Sequence, residues 1–113
     1  MSASSSPQRR DAFRVGLAGR ARVRRASGET AEFDLRDLSV GGARLLGPTD
    51  LEGDERVTIE IGLGEEVVEV CAHVVRLDVR GCGVRFGGLA PAVENRISRY
   101  LTDEQRRRVR ARD

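Results

Sequence analysis

Lysine is absent from this chain of 113 residues, so all twenty basic side chains are arginines. Aromatic residues are also scarce, with three Phe, one Tyr and no Trp. A core built from this sequence must therefore be filled by aliphatic side chains. Guanidinium groups bind phosphate or guanine through paired hydrogen bonds and stack on flat rings, which ammonium groups cannot do. The absence of lysine alone is weak evidence for such binding, because genomic codon bias also produces it.

Cysteine and long apolar runs are too few for several classes of protein. The two cysteines cannot form a disulfide scaffold or a four-thiolate zinc site, and Cys71 and Cys82 lack metal-ligand spacing. No apolar run approaches the roughly 20 residues of a membrane helix, and residues 1–8 lack the features of a signal peptide. We expect one cytoplasmic domain, with no membrane insertion, no metal and no cofactor.

Residues with catalytic potential are equally rare. His73 is the one histidine, and it follows Cys71 by two positions on the outer face of a predicted strand. A Cys–His dyad is conceivable there, but two ordinary surface residues are the simpler interpretation. No nucleophile elbow is present, and the carboxylates at alternating strand positions are typical of a solvated face. We expect that the protein is not an enzyme.

The charges are segregated along the chain. Residues 1–25 hold seven Arg and one Asp, a net +6, and residues 106–113 hold five Arg and one Asp, a net +4. Residues 26–105 hold eight Arg and sixteen acidic residues, a net −8. Basic ends permit phosphate contacts, whereas an acidic middle disfavours a nucleic-acid surface along the whole chain.

Six segments alternate apolar and polar residues and are separated by turn signals, a pattern typical of short strands. They cover residues 15–24, 31–36, 43–46, 57–61, 68–74 and 83–86. Six short strands at this spacing predict a small antiparallel barrel or sandwich.

The periodicity changes near the C-terminus. Pro91 suits a first helical turn, and an amphipathic stripe follows at Val93, Ile97, Tyr100 and Leu101. The pattern favours one continuous helix that runs on into the charged residues beyond position 102. A separate second helix, capped by Thr102 and Gln105, is the alternative.

Two short segments have residue types suited to binding. The first is an arginine cluster, Arg9, Arg10 and Arg14, between a polar lead-in at residues 1–8 and the first predicted strand. Such an arm can fold over a ligand, because guanidinium groups pair with phosphate oxygens, with guanine O6 and N7, and with base faces. A solvated basic tail is the alternative reading of this segment.

The second segment interrupts the alternation at residues 37–42. Asp37 can accept hydrogen bonds from the N1–H and N2–H₂ groups of guanine, Ser39 adds a hydroxyl, and Gly42 permits close approach of a ligand or a backbone. An Asx-type turn, in which Asp37 bonds to its own backbone, is the alternative. A ligand with both phosphates and guanines would satisfy both segments together.

The order of these segments resembles the PilZ domain family, bacterial receptors for cyclic di-GMP. The family pattern is Arg-x-x-x-Arg, then Asp/Asn-x-Ser-x-x-Gly some twenty residues later. Arg10, Arg14, Asp37, Ser39 and Gly42 match it. The likeness covers roughly residues 9 to 101 and implies an all-β fold, a six-stranded antiparallel β-barrel with a C-terminal helix.

The resemblance also implies how the chain is divided and used. We expect a disordered lead-in at residues 1–8, a PilZ-like barrel at 9–101 with a binding arm at 9–14 and a closing helix from about 91, and a charged helical extension at 102–113. The arginine before the family motif, Arg9, implies an intercalated pair of cyclic di-GMP molecules per domain.

Further partners follow from the same likeness. Ligand binding would order the arm, and an unidentified downstream protein would read the change; a homodimer is also compatible with the pattern. Arg44 and Arg85, predicted to point outward, are candidates for extra ligand contacts. Two other functions stay open at this stage: a nucleic-acid-binding barrel, which the scarcity of aromatics disfavours, and an interaction adaptor that binds no nucleotide.

Overall fold

The computed structural model describes residues 15–48 and 50–112. These residues form six strands followed by one helix. The elements are β1 (Val15–Arg25), β2 (Thr30–Leu38), β3 (Gly42–Leu46), β4 (Arg56–Leu63), β5 (Glu66–Asp78), β6 (Gly81–Phe86) and α1 (Pro91–Arg112).

The strands close into a barrel in the order β1-β2-β3-β6-β5-β4, with every neighbouring pair antiparallel. Closure gives most strands a partner on both edges, which satisfies backbone donors and acceptors without a second sheet. The predicted six-stranded antiparallel barrel is confirmed, and the sandwich alternative is wrong.

Alternation along each strand sorts side chains between the barrel interior and its outer wall. In β4, Val57, Ile59 and Ile61 are at most 5% exposed, whereas the residues between them are half-buried. Phe33 and Phe86 are the buried aromatic residues of the part of the chain described here, and aliphatic side chains supply the rest of that core. The apolar pattern therefore sets which face of each strand points inward.

Three irregularities in the strand registers bend the barrel wall. One lies in β1 between Gly16 and Gly19, and another in β2 between Leu35 and Asp37. The third lies in β5 between Val74 and Arg76, and it lets β5 continue to Asp78, beyond the predicted segment. Such bulges add a residue on one strand and sharpen its twist, which closure of a small barrel requires.

Helix α1 packs near the end of the barrel where β1, β3 and β5 begin, here called the helix end; the opposite end is the far end. Ile97 and Leu101 are fully buried, and Tyr100 packs against the core and lies 4.0 Å from the position of a Cβ on Gly64. The helix runs unbroken to Arg112, as the stripe predicts. Among the described residues, no helix is long and apolar enough to span a membrane.

Candidate functional site

The turn between β2 and β3, at residues 39–41, lies at the helix end and is held by Ser39. The backbone N–H of Ser39 donates to the Gly42 carbonyl at 2.9 Å. The Ser39 hydroxyl donates to the same carbonyl at 3.3 Å and accepts from the Gly41 N–H at 3.2 Å. The side chain is 7% exposed. Its hydroxyl therefore acts within the turn, whereas the alternative reading of this segment assigned the turn-forming hydrogen bond to Asp37.

Gly42 begins β3 where β6 comes very close. A Cβ built on Gly42 would lie 2.2 Å from the Val84 carbonyl oxygen, which is impossible without a backbone shift. The absent side chain thus admits a neighbouring strand, the second of the two roles predicted for this glycine. Gly81 likewise permits close approach of the strands at the other end of the β3–β6 pair. A Cβ built on Gly81 would lie 2.0 Å from the Leu45 carbonyl oxygen.

Asp37 is half-buried near the end of β2, where the register with β3 shifts. It pairs with Gly16 on β1 and with Arg44 on β3. Since Val15 opens β1 opposite Leu38, the chain that follows Arg14 enters the barrel beside Asp37. Strand pairing therefore brings this carboxylate next to the segment that leads from the arginine cluster.

The arginine cluster itself, Arg9, Arg10 and Arg14, lies outside the described residues. Of the sequence-predicted site, the structure thus describes Asp37 near the end of β2, Ser39 in the turn and Gly42 at the start of β3.

Arg85 is an exposed residue of β6 beside the turn. It pairs with Gly42 on one side and with half-buried His73 on the other. The neighbouring Phe86 N–H donates to the Gly41 carbonyl at 2.9 Å and ties β6 to the turn. Within the described chain the Arg85 guanidinium makes no ion pair, so its charge faces solvent next to the turn.

Arg44, on β3, is paired with an acidic side chain at the end of β5. Its guanidinium forms an ion pair with Asp78, whose carboxylate also accepts from the N–H groups of Arg80, at 2.9 Å, and Gly81, at 3.1 Å. The Arg44 hydrogen bond is the largest influence that lowers the pKa of Asp78, and the backbone donors add to it. Sequence patterns do not reveal this pair, because the residues are 34 positions apart.

A second arginine network lies at the far end, where β1 ends. Arg25 donates to Glu55 through two nitrogens, at 2.6 and 3.0 Å, and also reaches Glu29 and Asp50, each at 3.4 Å. The paired hydrogen bonds lower the pKa of Glu55 and raise that of Arg25. This network joins the loop before β4 to the end of β1.

An open cleft of about 410 Å³ on the outer wall includes Arg24, Arg56, Thr58 and Cys71 among its lining residues. It contains neither Asp37 nor the turn at residues 39–41. Arg24 is already paired with Glu69 at 2.9 Å. In the described part of the chain, no group of three or more His, Cys, Asp or Glu side chains is arranged to hold a metal ion.

The fold and the turn together define a class: a small antiparallel β-barrel closed by a C-terminal helix, with a glycine-dependent turn beside the first strand. The chain belongs to the PilZ domain family, whose family model matches residues 8–103. No curated protein sequence matches it.

Solved structures of PilZ proteins share this fold. E. coli YcgR in complex with c-di-GMP is 25% identical at a TM-score of 0.79, covering 89% of this chain and 48% of that one. The PilZ domain of the same protein with c-di-GMP is 23% identical at a TM-score of 0.74, covering 89% and 95%. The MrkH–c-di-GMP complex of K. pneumonia is 23% identical at a TM-score of 0.64, covering 87% and 53%. This chain thus spans about half the length of the YcgR chain in that complex.

Proposed function

We propose that this protein is a receptor for cyclic di-GMP. The observation that carries the proposal is the match to the PilZ family over residues 8–103, with Arg10, Arg14, Asp37, Ser39 and Gly42 at the motif positions. The likeness to YcgR in complex with c-di-GMP supports it. A receptor for this nucleotide would work in the bacterial cytoplasm and would need no catalytic residue and no cofactor.

Asp37 and the arginines would contact the ligand directly. A half-buried carboxylate can accept from the guanine N1–H and N2–H₂ groups, a pattern that adenine does not offer. Arg10 and Arg14 would bind phosphates and guanine edges and stack on the bases. The pairing of Gly16 with Asp37 supports this arrangement, because it starts the arm within reach of the carboxylate.

Ser39 and Gly42 would act mainly by shaping the turn. The Ser39 hydroxyl already donates to Gly42 and accepts from Gly41, which leaves it one acceptor site for a guanine amino group. Gly42 keeps β6 close, and this brings Arg85 beside the turn. Of the two extra arginines, Arg85 is therefore better placed for a ligand contact than Arg44, which is paired with Asp78.

Ligand number and signalling belong to the same proposal. Arg9 adds a third guanidinium to the arm, which favours an intercalated pair of ligand molecules per domain. Before binding, three cations repel one another along the arm; ligand phosphates would neutralise them and order the arm against the barrel. A downstream protein would then recognise the ordered surface.

Calorimetric titration with cyclic di-GMP tests the receptor. We expect saturable binding with two ligands per chain, and one after Arg9→Leu. Arg10→Ala or Arg14→Ala should weaken binding by at least about 2 kcal/mol, and Asp37→Asn by about 1.5–3 kcal/mol. Arg99→Ala on the exposed face of α1 is the matched control and should change nothing.

Two outcomes contradict this proposal. Absence of binding would leave an adaptor that binds no nucleotide. Equal affinity for single-stranded RNA and cyclic di-GMP, with a steep salt dependence, would indicate a nucleic-acid-binding barrel.

Amide exchange tests whether ligand binding orders the arm. Exchange at residues 9–14 should slow when ligand is added. Equal protection with and without ligand would exclude signalling through ordering of the arm.

A further inference from the structure

The last residues of β5 leave one side of the barrel wall uncovered. The register of β4 with β5 ends where Arg56 pairs with His73. One further link joins Val74 to the loop before β4, where its carbonyl accepts from Asp54 at 2.8 Å and its N–H donates to Glu55 at 2.9 Å. Beyond Val74, β5 pairs with β6 on one edge, and no described strand covers the other.

This uncovered edge, residues 75–78, carries exposed apolar side chains at Val75 and Leu77, and Val79 follows in the turn to β6. Val75, Leu77 and Val79 are 50%, 41% and 92% exposed, and they make up three of the four exposed large apolar residues in the described chain. Proteins normally protect a free strand edge with charge, proline or a covering segment, because it can pair with another strand. An edge that is also apolar is a candidate interaction surface.

The sequence of the edge is complementary to itself. If two copies pair antiparallel with Leu77 opposite Leu77 of the second copy, each Arg76 faces an Asp78, and each Val75 lies beside Val79 in the β5–β6 turn of the other copy. Opposite charges and apolar pairs directly across an antiparallel ladder are both stabilising. A register shifted by one residue would place Asp78 against an apolar residue and lose both charge pairs.

We propose that the edge of β5 at residues 75–78 is a homodimer interface in which two barrels join through the antiparallel pairing centred on Leu77. The symmetric contact makes a continuous four-stranded sheet from β5 and β6 of both copies. Asp78 can pair with Arg76 of the second copy, because its side chain is 35% exposed even while it binds Arg44. The interface lies at the far end, away from the turn at residues 39–41.

The interface is small, so association is weak. An edge of four residues buries less than the roughly 800 Å² per partner of a stable complex. We therefore expect the dimer to form at high micromolar concentration and to dissociate on dilution.

Sedimentation velocity of the full chain over a dilution series, without nucleotide, measures this association. Arg76→Glu sets like charges opposite each other at both symmetric positions and should weaken association at least about tenfold. The matched control, Arg99→Glu, makes the same charge change on an exposed face of α1 and should leave association unchanged. A monomer at every concentration, or equal effects of both variants, would overturn the proposal.

Cysteine cross-linking tests the register on a Cys71→Ser background. Facing residues in an antiparallel pair lie about 4.5–5.5 Å apart between Cα atoms, within disulfide reach, so Leu77→Cys should cross-link to itself. The two copies of Val75 would be four residues apart along the strand, about 13 Å, so Val75→Cys should not. Equal cross-linking of both variants would exclude this register. Because no nucleotide is present, these results are independent of the receptor proposal.

Discussion

At the scale of single residues, Gly42 shows how one absent side chain sets the distance between two strands beside the candidate site. Gly42→Ala would push a methyl group against the Val84 carbonyl, so β3 and β6 must separate. We expect the free energy of unfolding to fall by about 1–3 kcal/mol, measured by urea denaturation. Gly41→Ala is the control, because its Cβ would meet only the Ser39 hydroxyl oxygen, at 4.0 Å. Equal losses for both variants would show that the close strand approach is not the cause.

The two cysteines should differ sharply in reactivity. Cys82 is fully buried, and burial raises the pKa of its thiol from 9.0 to about 11, whereas Cys71 is exposed. Thiolates react and thiols do not, so a thiol reagent at pH 8 should label one cysteine in the native protein and two in urea. The Cys82 thiol ionises more readily in the unfolded chain than in the folded protein, because its pKa is raised by burial. The free energy of unfolding should therefore decrease as the pH rises above about 9. Rapid native labelling of both thiols would contradict the buried position of Cys82.

At the scale of elements, the sequence predicts the strands well and their irregularities poorly. Alternation is a local property, so each of the six segments and the amphipathic helix could be read directly. The shifts near Leu35 and Val74 arise from the geometry of a closed wall, and no residue type marks them. The extension of β5 to Asp78 follows from such a shift, which is why the free edge was not predicted.

Helix α1 should contribute to stability through its first half. Ile97 is fully buried against the barrel, so Ile97→Ala should lower the free energy of unfolding by about 2–5 kcal/mol. Val67→Ala removes a comparable apolar side chain that is 62% exposed and should change it by less than about 0.5 kcal/mol. Chemical denaturation of both variants makes the comparison. A loss near zero for Ile97→Ala would mean that the helix is not docked in solution.

At the scale of the whole molecule, the sequence predicts a candidate site, and the structure shows what holds its described part. The motif positions indicate Asp37, Ser39 and Gly42, and strand order explains why these residues lie beside the start of β1. The sequence does not indicate that Ser39 bonds within its own turn or that Gly42 faces a strand, because both depend on how β3 meets β2 and β6. The ligand contacts of Arg9, Arg10 and Arg14 stay predictions.

Acid should weaken the two ion pairs at the far end of the barrel. Arg25 lowers the pKa of Glu55 below its ordinary 4.5, and Arg44 lowers that of Asp78 below 3.8. A carboxylate whose pKa is lowered by folding stabilises the fold fully when the pH is above its ordinary, unfolded pKa. This stabilisation is lost as the pH falls through the lowered pKa of the folded protein. We therefore expect the contribution of these two pairs to Tm to be constant from neutral pH to about 5 and to fall below about 4.5.

Glu55→Gln isolates the contribution of the Arg25 pair. The amide cannot carry the charge, so the variant should melt a few degrees below the parent at pH 7, and the two Tm values should converge towards pH 3. Glu65→Gln, an exposed residue without an ion pair among the described side chains, controls for the loss of one negative charge and should follow the parent throughout. Circular dichroism melts at low salt give both curves. If the Glu55→Gln difference were as large at pH 3 as at pH 7, the ion pair would not be its origin.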